Sequence, residues 1–351
     1  TSMKRIMKRL LITLILVCTM SNITNAQNPF YGQYHTPHGT VPFDRIETEH
    51  YEPAILEGIK LQNAEIEAII QNPEKADFSN TIEAFEASGE LLDKVVAVFG
   101  NMLSAETNDD LQELAQKIMP LLSEHSNNIT LNEKLFARVK EVYNQKETLQ
   151  LTQEQKQLLE NAYNSFVRHG ANLEGEAREE YRRLTNELSK LTLTFSENNL
   201  KETNAYQMLL TKKESLAGLP EIIIEAAAET AKSEEKEGWA FTLHAPSYVP
   251  FMTYSDNRDL RQKLYMAYNT KCTHDNEFNN IDIVKNIANT RMKIAQLLGY
   301  KDYAEYTLKK RMAENSKSVY KLLNQLLEAY APTAQQEYKE IQELAREEQG
   351  D

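Results

Sequence analysis

Cysteine, glycine and proline are all scarce in this chain of 351 residues, and each shortage has a structural consequence. Cys18 lies in a segment that we expect to be removed, which leaves Cys272 without a partner for an internal disulfide. Although an exported protein is permitted disulfides, this one must rely on size and core packing. Only 11 glycines and 10 prolines interrupt the chain, which favours long helices. At roughly 150 residues per domain, the length suggests about two domains.

The sequence also lacks the complete motifs of the common catalytic centres. None of its seven histidines is followed by glutamate, and no two lie four residues apart, so the His-Glu-x-x-His zinc motif is absent. There is no Gly-x-Ser-x-Gly, no phosphate-binding glycine loop and no Cys-x-x-Cys. We therefore assign no catalytic, cofactor-binding or metal-binding residue to this chain.

Two histidine-containing fragments invite a metal interpretation but do not support one. Glu47 and His50 form a single Glu-x-x-His, whereas a di-iron helix bundle needs two such motifs. His35 and His38 flank Pro37 in a segment that we expect to be flexible, and a flexible arm does not provide a preformed site. The first fragment is therefore unsupported as a metal site, and we interpret the second as part of a solvated arm.

Two further groups of side chains have a functional and a structural interpretation. Cys272 and His274 would form a nucleophilic pair only if the fold held them within hydrogen-bonding reach beside an oxyanion hole, and an unreactive cysteine is the commoner outcome. Tyr300, Tyr303 and Tyr306 are spaced to share one helix face. Packing is the default interpretation for these tyrosines, and a peptide-binding groove is the alternative.

The hydrophobic periodicity predicts an all-α fold of mostly long helices with at most a small β hairpin near 206–244. Residues 27–45 form an irregular arm, and Pro120 and Pro332 mark possible interruptions of their helices. The weak alternation at 239–243 predicts a strand that pairs with 206–210. No repeat of 30–45 residues supports a solenoid. The predicted helices are 50–70, 79–99, 111–122, 131–143, 152–169, 174–201, 222–231, 257–268, 281–298, 302–310 and 316–348.

The first 26 residues have the layout of a secretory signal peptide preceded by two added residues. Thr1 and Ser2 precede a plausible initiator, Met3, and four basic residues follow within 4–9. The apolar run 10–17 is too short to span a bilayer. Polar residues then lead to Ala26, a suitable small residue for cleavage. We expect export to the periplasm or the medium with cleavage after Ala26.

Two alternatives to this signal peptide are weaker. An amphipathic N-terminal helix does not explain the order of basic, apolar and small residues. A lipoprotein signal would use Cys18, but Val17 before it fits poorly. Removing four basic residues and no acidic ones would change the formal net charge from −13 to −17. Such an acidic chain argues against nucleic acid or an anionic membrane as partner.

The sequence contains several distinctive blocks, which lie within 42–54, 78–92 and 278–306. The strongest part includes Ala295-Gln296-Leu297-Leu298-Gly299-Tyr300 and Lys310-Arg311-Met312-Ala313. These blocks resemble the zinc oligopeptidases of the M3 family, most closely the peptidyl-dipeptidases, also called dipeptidyl carboxypeptidases, with the oligopeptidases A as near relatives. The likeness runs from about Pro42 to the last residue.

The resemblance implies a helical enzyme whose two lobes close over a deep, narrow channel that admits short, unstructured peptides. In the family, zinc sits on a His-Glu-x-x-His helix with a further glutamate ligand downstream, and peptidyl-dipeptidases remove dipeptides from the C-terminus. Those residues belong to the second half of the family's sequences. No ligand or catalytic residue can therefore be carried over to this chain, and none of its own residues forms a complete zinc site.

We expect residues 46–351 to be the helical N-terminal lobe of an M3-type peptidase, truncated before its zinc-binding region. On this hypothesis the full-length protein holds zinc and acts on short peptides, while this chain alone is inactive and packs against the missing C-terminal lobe. It would use neither nucleic acid nor, after signal cleavage, a membrane. The alternative is a non-catalytic helical module that binds peptides or a partner, if the gene ends near Asp351.

Overall fold

The computed structural model describes residues 28–349, so the predicted signal peptide, 1–26, lies outside the described part of the chain. Short 3₁₀ turns occupy Pro37–Gly39, Phe43–Arg45 and Lys213–Leu216, and a π-helical turn, Phe78–Glu83, continues into Ala84–Glu86. The remaining elements are α1 (Thr48–Gln71), α2 (Glu90–Ala105), α3 (Asp109–Thr130), α4 (Glu133–Asn144), α5 (Gln153–Arg168), α6 (Gly175–Ala205), β1 (Gln207–Leu210), α7 (Glu221–Ser233), β2 (Trp239–Thr242), α8 (Ala245–Tyr254), α9 (Arg258–Asn269), α10 (Ile281–Leu297), α11 (Tyr303–Leu308) and α12 (Ser316–Gln349).

The prediction of a helical fold with one small hairpin is confirmed. β1 and β2 form a two-stranded antiparallel sheet whose register pairs Gln207 with Thr242 and Leu210 with Trp239. Side-chain caps fix the start of several helices, because an Asn, Thr or Asp oxygen accepts a hydrogen bond from the third residue of the helix. This holds at Asn108, Asn132, Thr152, Asn257 and Asp302.

Proline had less effect on the helices than the sequence suggested. Pro120 lies inside α3 and Pro332 inside α12, and neither helix breaks there. Helix α8 was not predicted, although Pro246 stands in its first turn. A proline at that place loses no hydrogen bond, because the first amides of a helix have no partner within it.

Three hydrophobic clusters form the core of residues 28–286, and each has its own set of elements. One cluster joins the start of the chain to α1, α2 and α3. A second joins the end of α1 to the π-helical turn, α4 and α5. The third packs β1 and β2 against α7, α8 and α9. The remaining described residues, 287–349, form a separate unit that contains α11 and α12.

The arm between 28 and 45 is anchored at its beginning, which differs from the solvated segment that the sequence suggested. Phe30 is fully buried, with its ring 5.3 Å from that of Tyr51. The Asn28 side chain donates to the His50 carbonyl oxygen at 2.9 Å. Lys94 Nζ donates to the carbonyl oxygens of Phe30 at 3.1 Å and Gly32 at 2.8 Å. The arm therefore contributes to the core.

Candidate functional site

The histidines of the chain serve structural roles wherever their contacts are defined. Glu47 and His50 form a capping box at the start of α1, in which His50 Nδ1 accepts the Glu47 amide hydrogen at 2.9 Å. His35 and His38 are exposed. Within residues 28–349, no three His, Cys, Asp or Glu side chains approach closely enough to hold a metal ion. The described residues therefore do not fit a zinc ion by themselves.

Cys272 and His274 do not form a nucleophilic pair, because Glu202 binds both. The Glu202 carboxylate accepts a hydrogen bond from the Cys272 amide and another from His274 Nδ1 at 2.7 Å. Burial and the adjacent Glu202 raise the pKa of the Cys272 thiol to about 11, so it is protonated and unreactive at neutral pH. Burial opposes ionisation of Glu202, but its hydrogen bonds from His274 and Cys272 hold its pKa below the usual value.

The Glu202 contacts belong to a larger set that fastens the loop between α9 and α10 onto helix α6. Asn280 is buried and donates to the Phe195 carbonyl oxygen at 3.0 Å, while Asn198 donates to Asn280 Oδ1 at 2.9 Å. Lys271 Nζ donates to Thr203 Oγ1 at 3.0 Å. These polar groups hold the loop in place and leave no activated nucleophile.

The three tyrosines expected on one helix face are close together, but only two are helical. α11 begins at Tyr303, so Tyr300 precedes it. The Tyr300 and Tyr306 rings meet edge to face at 5.3 Å, and those of Tyr303 and Tyr306 lie 5.7 Å apart. All three side chains are half-buried, which agrees with packing as their main role.

A second tyrosine cluster lies on the surface formed by α8 and α9, and the sequence analysis missed it. The Tyr248 and Tyr268 rings stack at 4.2 Å, and Lys271 Nζ lies 4.6 Å from the Tyr268 ring centroid. Burial raises the pKa of Tyr248, which also hydrogen-bonds to Asn269 and lies near Tyr265. Exposed tyrosines offer both an apolar ring and a hydroxyl, a combination suited to peptide contact. The density of tyrosine between 248 and 268 was the available signal.

Several clefts occur between helices in the N-terminal half of the described chain, and two of them adjoin both α1 and α3. The larger, of about 730 Å³, lies between α1 and α3 and is lined by Glu49, Glu52, Asp110 and Glu113, with Lys117 paired to Glu52 at 2.5 Å. The smaller, of about 300 Å³, is mostly apolar.

The smaller cleft contains a buried histidine. His125 Nε2 lies 2.7 Å from Gln62 Oε1. An amide oxygen only accepts, so Nε2 carries the hydrogen. Burial lowers the pKa of His125, which keeps the ring neutral.

Helix α12 carries large apolar side chains that remain exposed, notably Leu327 and Ile341 at 65% each. The other exposed apolar side chains of this helix are Tyr320, Leu322, Leu323, Leu326, Tyr330, Tyr338 and Leu344. No helix of residues 28–349 has the length and hydrophobicity needed to cross a bilayer. An apolar surface of this extent on one helix is typical of an interaction site.

Comparison with known proteins adds a clear similarity. The family model described as Peptidase family M3 matches residues 251–351. Dipeptidyl carboxypeptidase of Escherichia coli (strain K12) is 33% identical over 324 residues, which are 92% of this chain and 48% of that protein. Oligopeptidase A of Salmonella typhimurium is 29% identical over 327 residues, which are again 92% of this chain and 48% of that protein. Oligopeptidase A of Haemophilus influenzae is 31% identical over 316 residues, which are 89% of this chain and 46% of that protein. The chain thus spans about half the length of the curated relatives it matches.

Proposed function

Because the chain belongs to peptidase family M3, we propose that it is the N-terminal part of an exported zinc metallopeptidase that releases dipeptides from the C-terminus of short peptides. The observation that carries this proposal is the similarity over 92% of the chain to proteins named dipeptidyl carboxypeptidase and oligopeptidase A. Both names describe enzymes that act on peptides. The choice of dipeptide release follows the 33% identity to the dipeptidyl carboxypeptidase.

The zinc ion of this proposal needs ligands from outside residues 28–349, since the described residues hold no suitable group. This chain would instead contribute peptide-binding surface. The tyrosines Tyr248, Tyr265 and Tyr268 on α8 and α9 are the side chains best suited to that role. The exposed apolar face of α12 would pack against the rest of the longer protein.

The experiment that tests the proposal uses the entire product of the gene. A short peptide with an acetylated N-terminus and a free C-terminus should lose its C-terminal dipeptide, and the same peptide made as a C-terminal amide should not. Hydrolysis should stop when a chelator removes the metal and return with zinc.

Each other outcome changes a specific part of the proposal. Equal cleavage of the acid and the amide would replace dipeptide release with internal cleavage. Absence of both zinc and hydrolysis would leave the alternative, a non-catalytic helical module that binds peptides or a partner.

We also propose export, on the basis of the basic, apolar and small-residue regions in 1–26. The mature protein should begin at Gln27 after cleavage behind Ala26. N-terminal sequencing of material recovered from the periplasm or the medium measures this directly. Exported material that begins at Met3 would contradict the proposal.

A further inference from the structure

Arg291 is a half-buried arginine whose charge finds no acceptor within its own structural unit. It lies on α10, and its guanidinium carbon is 5.4 Å from the centroid of the Tyr303 ring on α11. Its Nε is buried without a hydrogen-bond partner, and residues 287–349 contribute no ion pair to it. The ring contact orients the guanidinium but supplies no acceptor for the buried Nε.

Four other half-buried arginines of residues 28–349 donate to oxygen acceptors, whereas Arg291 makes no such hydrogen bond, although the Arg138 Nε is also buried without a partner. Arg138 donates to Asn80 Oδ1 at 2.9 Å, and Arg182 donates to Glu124 Oε1 at 2.6 Å. Arg178 and Arg261 likewise donate to oxygen acceptors. Partial removal of a charged group from water is costly unless an acceptor replaces that water. An acceptor for Arg291 is therefore expected from outside residues 287–349.

The charge around Arg291 favours an anion as that acceptor. Residues 287–311 contain six basic and two acidic side chains, in a chain whose formal net charge is −13. No ion pair within residues 287–349 neutralises these basic side chains. A local positive field on an acidic protein attracts small anions selectively. A guanidinium fork matches a carboxylate, to which it can donate two parallel hydrogen bonds.

We propose that the Arg291 guanidinium, held over the Tyr303 ring, binds the free C-terminal carboxylate of a peptide. The identity of the ligand rests on the proposed function, in which short peptides with free C-termini are the substrates. Tyr306 lies beside the Tyr303 ring that supports Arg291, and Tyr300 meets Tyr306 edge to face. These two tyrosines would form the walls beside the last side chains of the peptide. Arg291 is then a residue that selects for a free C-terminus.

The test measures binding to the full chain by nuclear magnetic resonance, with the Arg291 Nε–H signal as reporter. The probes are N-acetyl-alanyl-alanine, the same dipeptide as its C-terminal amide, and inorganic phosphate. The acid should shift the reporter with a millimolar or lower dissociation constant, and the amide should bind at least about ten-fold more weakly, because a charge-assisted bidentate contact is lost. An equal response to acid and amide, or no response to either, would overturn the proposal. Tighter binding of phosphate than of the acid would also overturn it.

Variants separate specific recognition of the carboxylate from a general effect of positive charge. Binding to them is followed by the signals of the Tyr303 ring. Arg291→Gln should abolish discrimination between acid and amide, and Arg291→Lys should weaken acid binding because an ammonium lacks the planar fork. Lys293→Gln removes the same charge from an exposed neighbour and should retain discrimination. A circular dichroism melt of each variant identifies any loss of folding. Because the chain is tested for binding without turnover, a failure of peptide hydrolysis in the longer protein would not affect this result.

Discussion

At the scale of single residues, buried contacts near the start of the described chain do more than its irregular sequence suggests. Phe30 has no exposed surface, whereas Phe43 in the same arm is 51% exposed. Replacing Phe30 by alanine should lower the free energy of unfolding by about 3–5 kcal/mol, since it deletes a fully buried ring. Phe43→Ala is the matched control and should change stability by less than about 1 kcal/mol. Urea unfolding of both variants measures the difference, and equal losses would contradict the placement of Phe30 in the core.

His125 provides a pH-dependent test of the cleft between α1, α2 and α3. Burial lowers its pKa in the folded protein, so folding favours the neutral ring. Its contribution to stability is complete above the pKa of an unfolded histidine, about 6.5, and is lost as pH falls through the lower folded value. Stability should therefore decline between about pH 7 and about pH 5 more steeply in the natural protein than in His125→Gln, which cannot ionise.

Urea unfolding at several pH values measures these two slopes. His244→Gln is the control, because it replaces an exposed histidine in place of the buried one. Parallel curves for the natural protein and His125→Gln would show that the ring is not buried as described.

At the scale of elements, the polar anchor between α6 and the α9–α10 loop depends on Glu202. Glu202→Ala leaves the Cys272 amide and His274 Nδ1 without their acceptor. The expected loss in the free energy of unfolding is about 1–3 kcal/mol, which is the usual cost of leaving a buried polar group such as the Cys272 amide unpaired. Glu197→Ala, on the same helix but bonded only to Gln116, serves as the comparison and should cost less. Faster hydrogen exchange in the loop, confined to Glu202→Ala, would identify the anchor as local.

Pro332 lies within α12 and tests how far a helix tolerates proline. The residue is exposed, and its ring removes one backbone hydrogen bond from the helix. Pro332→Ala should therefore raise the helix content and stabilise α12 by up to about 3 kcal/mol. Thr333→Ala is the neighbouring control, for which the gain should be below about 0.7 kcal/mol. Circular dichroism at the helix minimum compares the helix content of the two variants. A gain for Pro332→Ala no larger than that for Thr333→Ala would contradict a continuous helix.

The sequence predicted the elements well because helix formation leaves a local signal. The spacing of Tyr181, Leu184 and Leu188 indicated α6, and the alternation at 239–243 indicated β2. The continuation of α3 past Pro120 was not predictable, since only packing of both halves of the helix overcomes the local cost of proline. The same holds for α8, because Pro250 lies inside that helix.

The site was harder to predict than the fold, because its contacts join distant parts of the sequence. The Glu202–Cys272 hydrogen bond spans 70 residues, and no local pattern marks it. The sequence places Cys272 near His274, which suggests a nucleophilic pair. In the structure, the Glu202 carboxylate on α6 accepts hydrogen bonds from both residues. Similarly, Arg291 looks like an ordinary surface residue of α10 until Tyr303 is seen beneath its guanidinium.

At the scale of the whole molecule, the acidic surface and the apolar face of α12 have opposite effects on association. A net charge of −13 keeps copies of the chain apart at low salt. The exposed side chains of α12, such as Leu327 and Ile341, favour contact between apolar surfaces. Salt screens the repulsion over about 10 Å at 0.1 M ionic strength but does not weaken the apolar attraction. The chain should therefore associate as salt is added.

The last prediction measures this balance through an apolar dye and the oligomeric state. The chain should bind 8-anilinonaphthalene-1-sulfonate in its folded state, and light scattering should show association that increases with salt. The double variant Leu327→Lys and Ile341→Lys should reduce both signals, because it places two charges on the apolar face of α12. The matched control, Lys321→Leu with Lys339→Leu, adds apolar surface to the same helix and should increase them. A monodisperse chain that does not bind the dye would show that α12 is covered, and its apolar face would then no longer support packing against the rest of a longer peptidase.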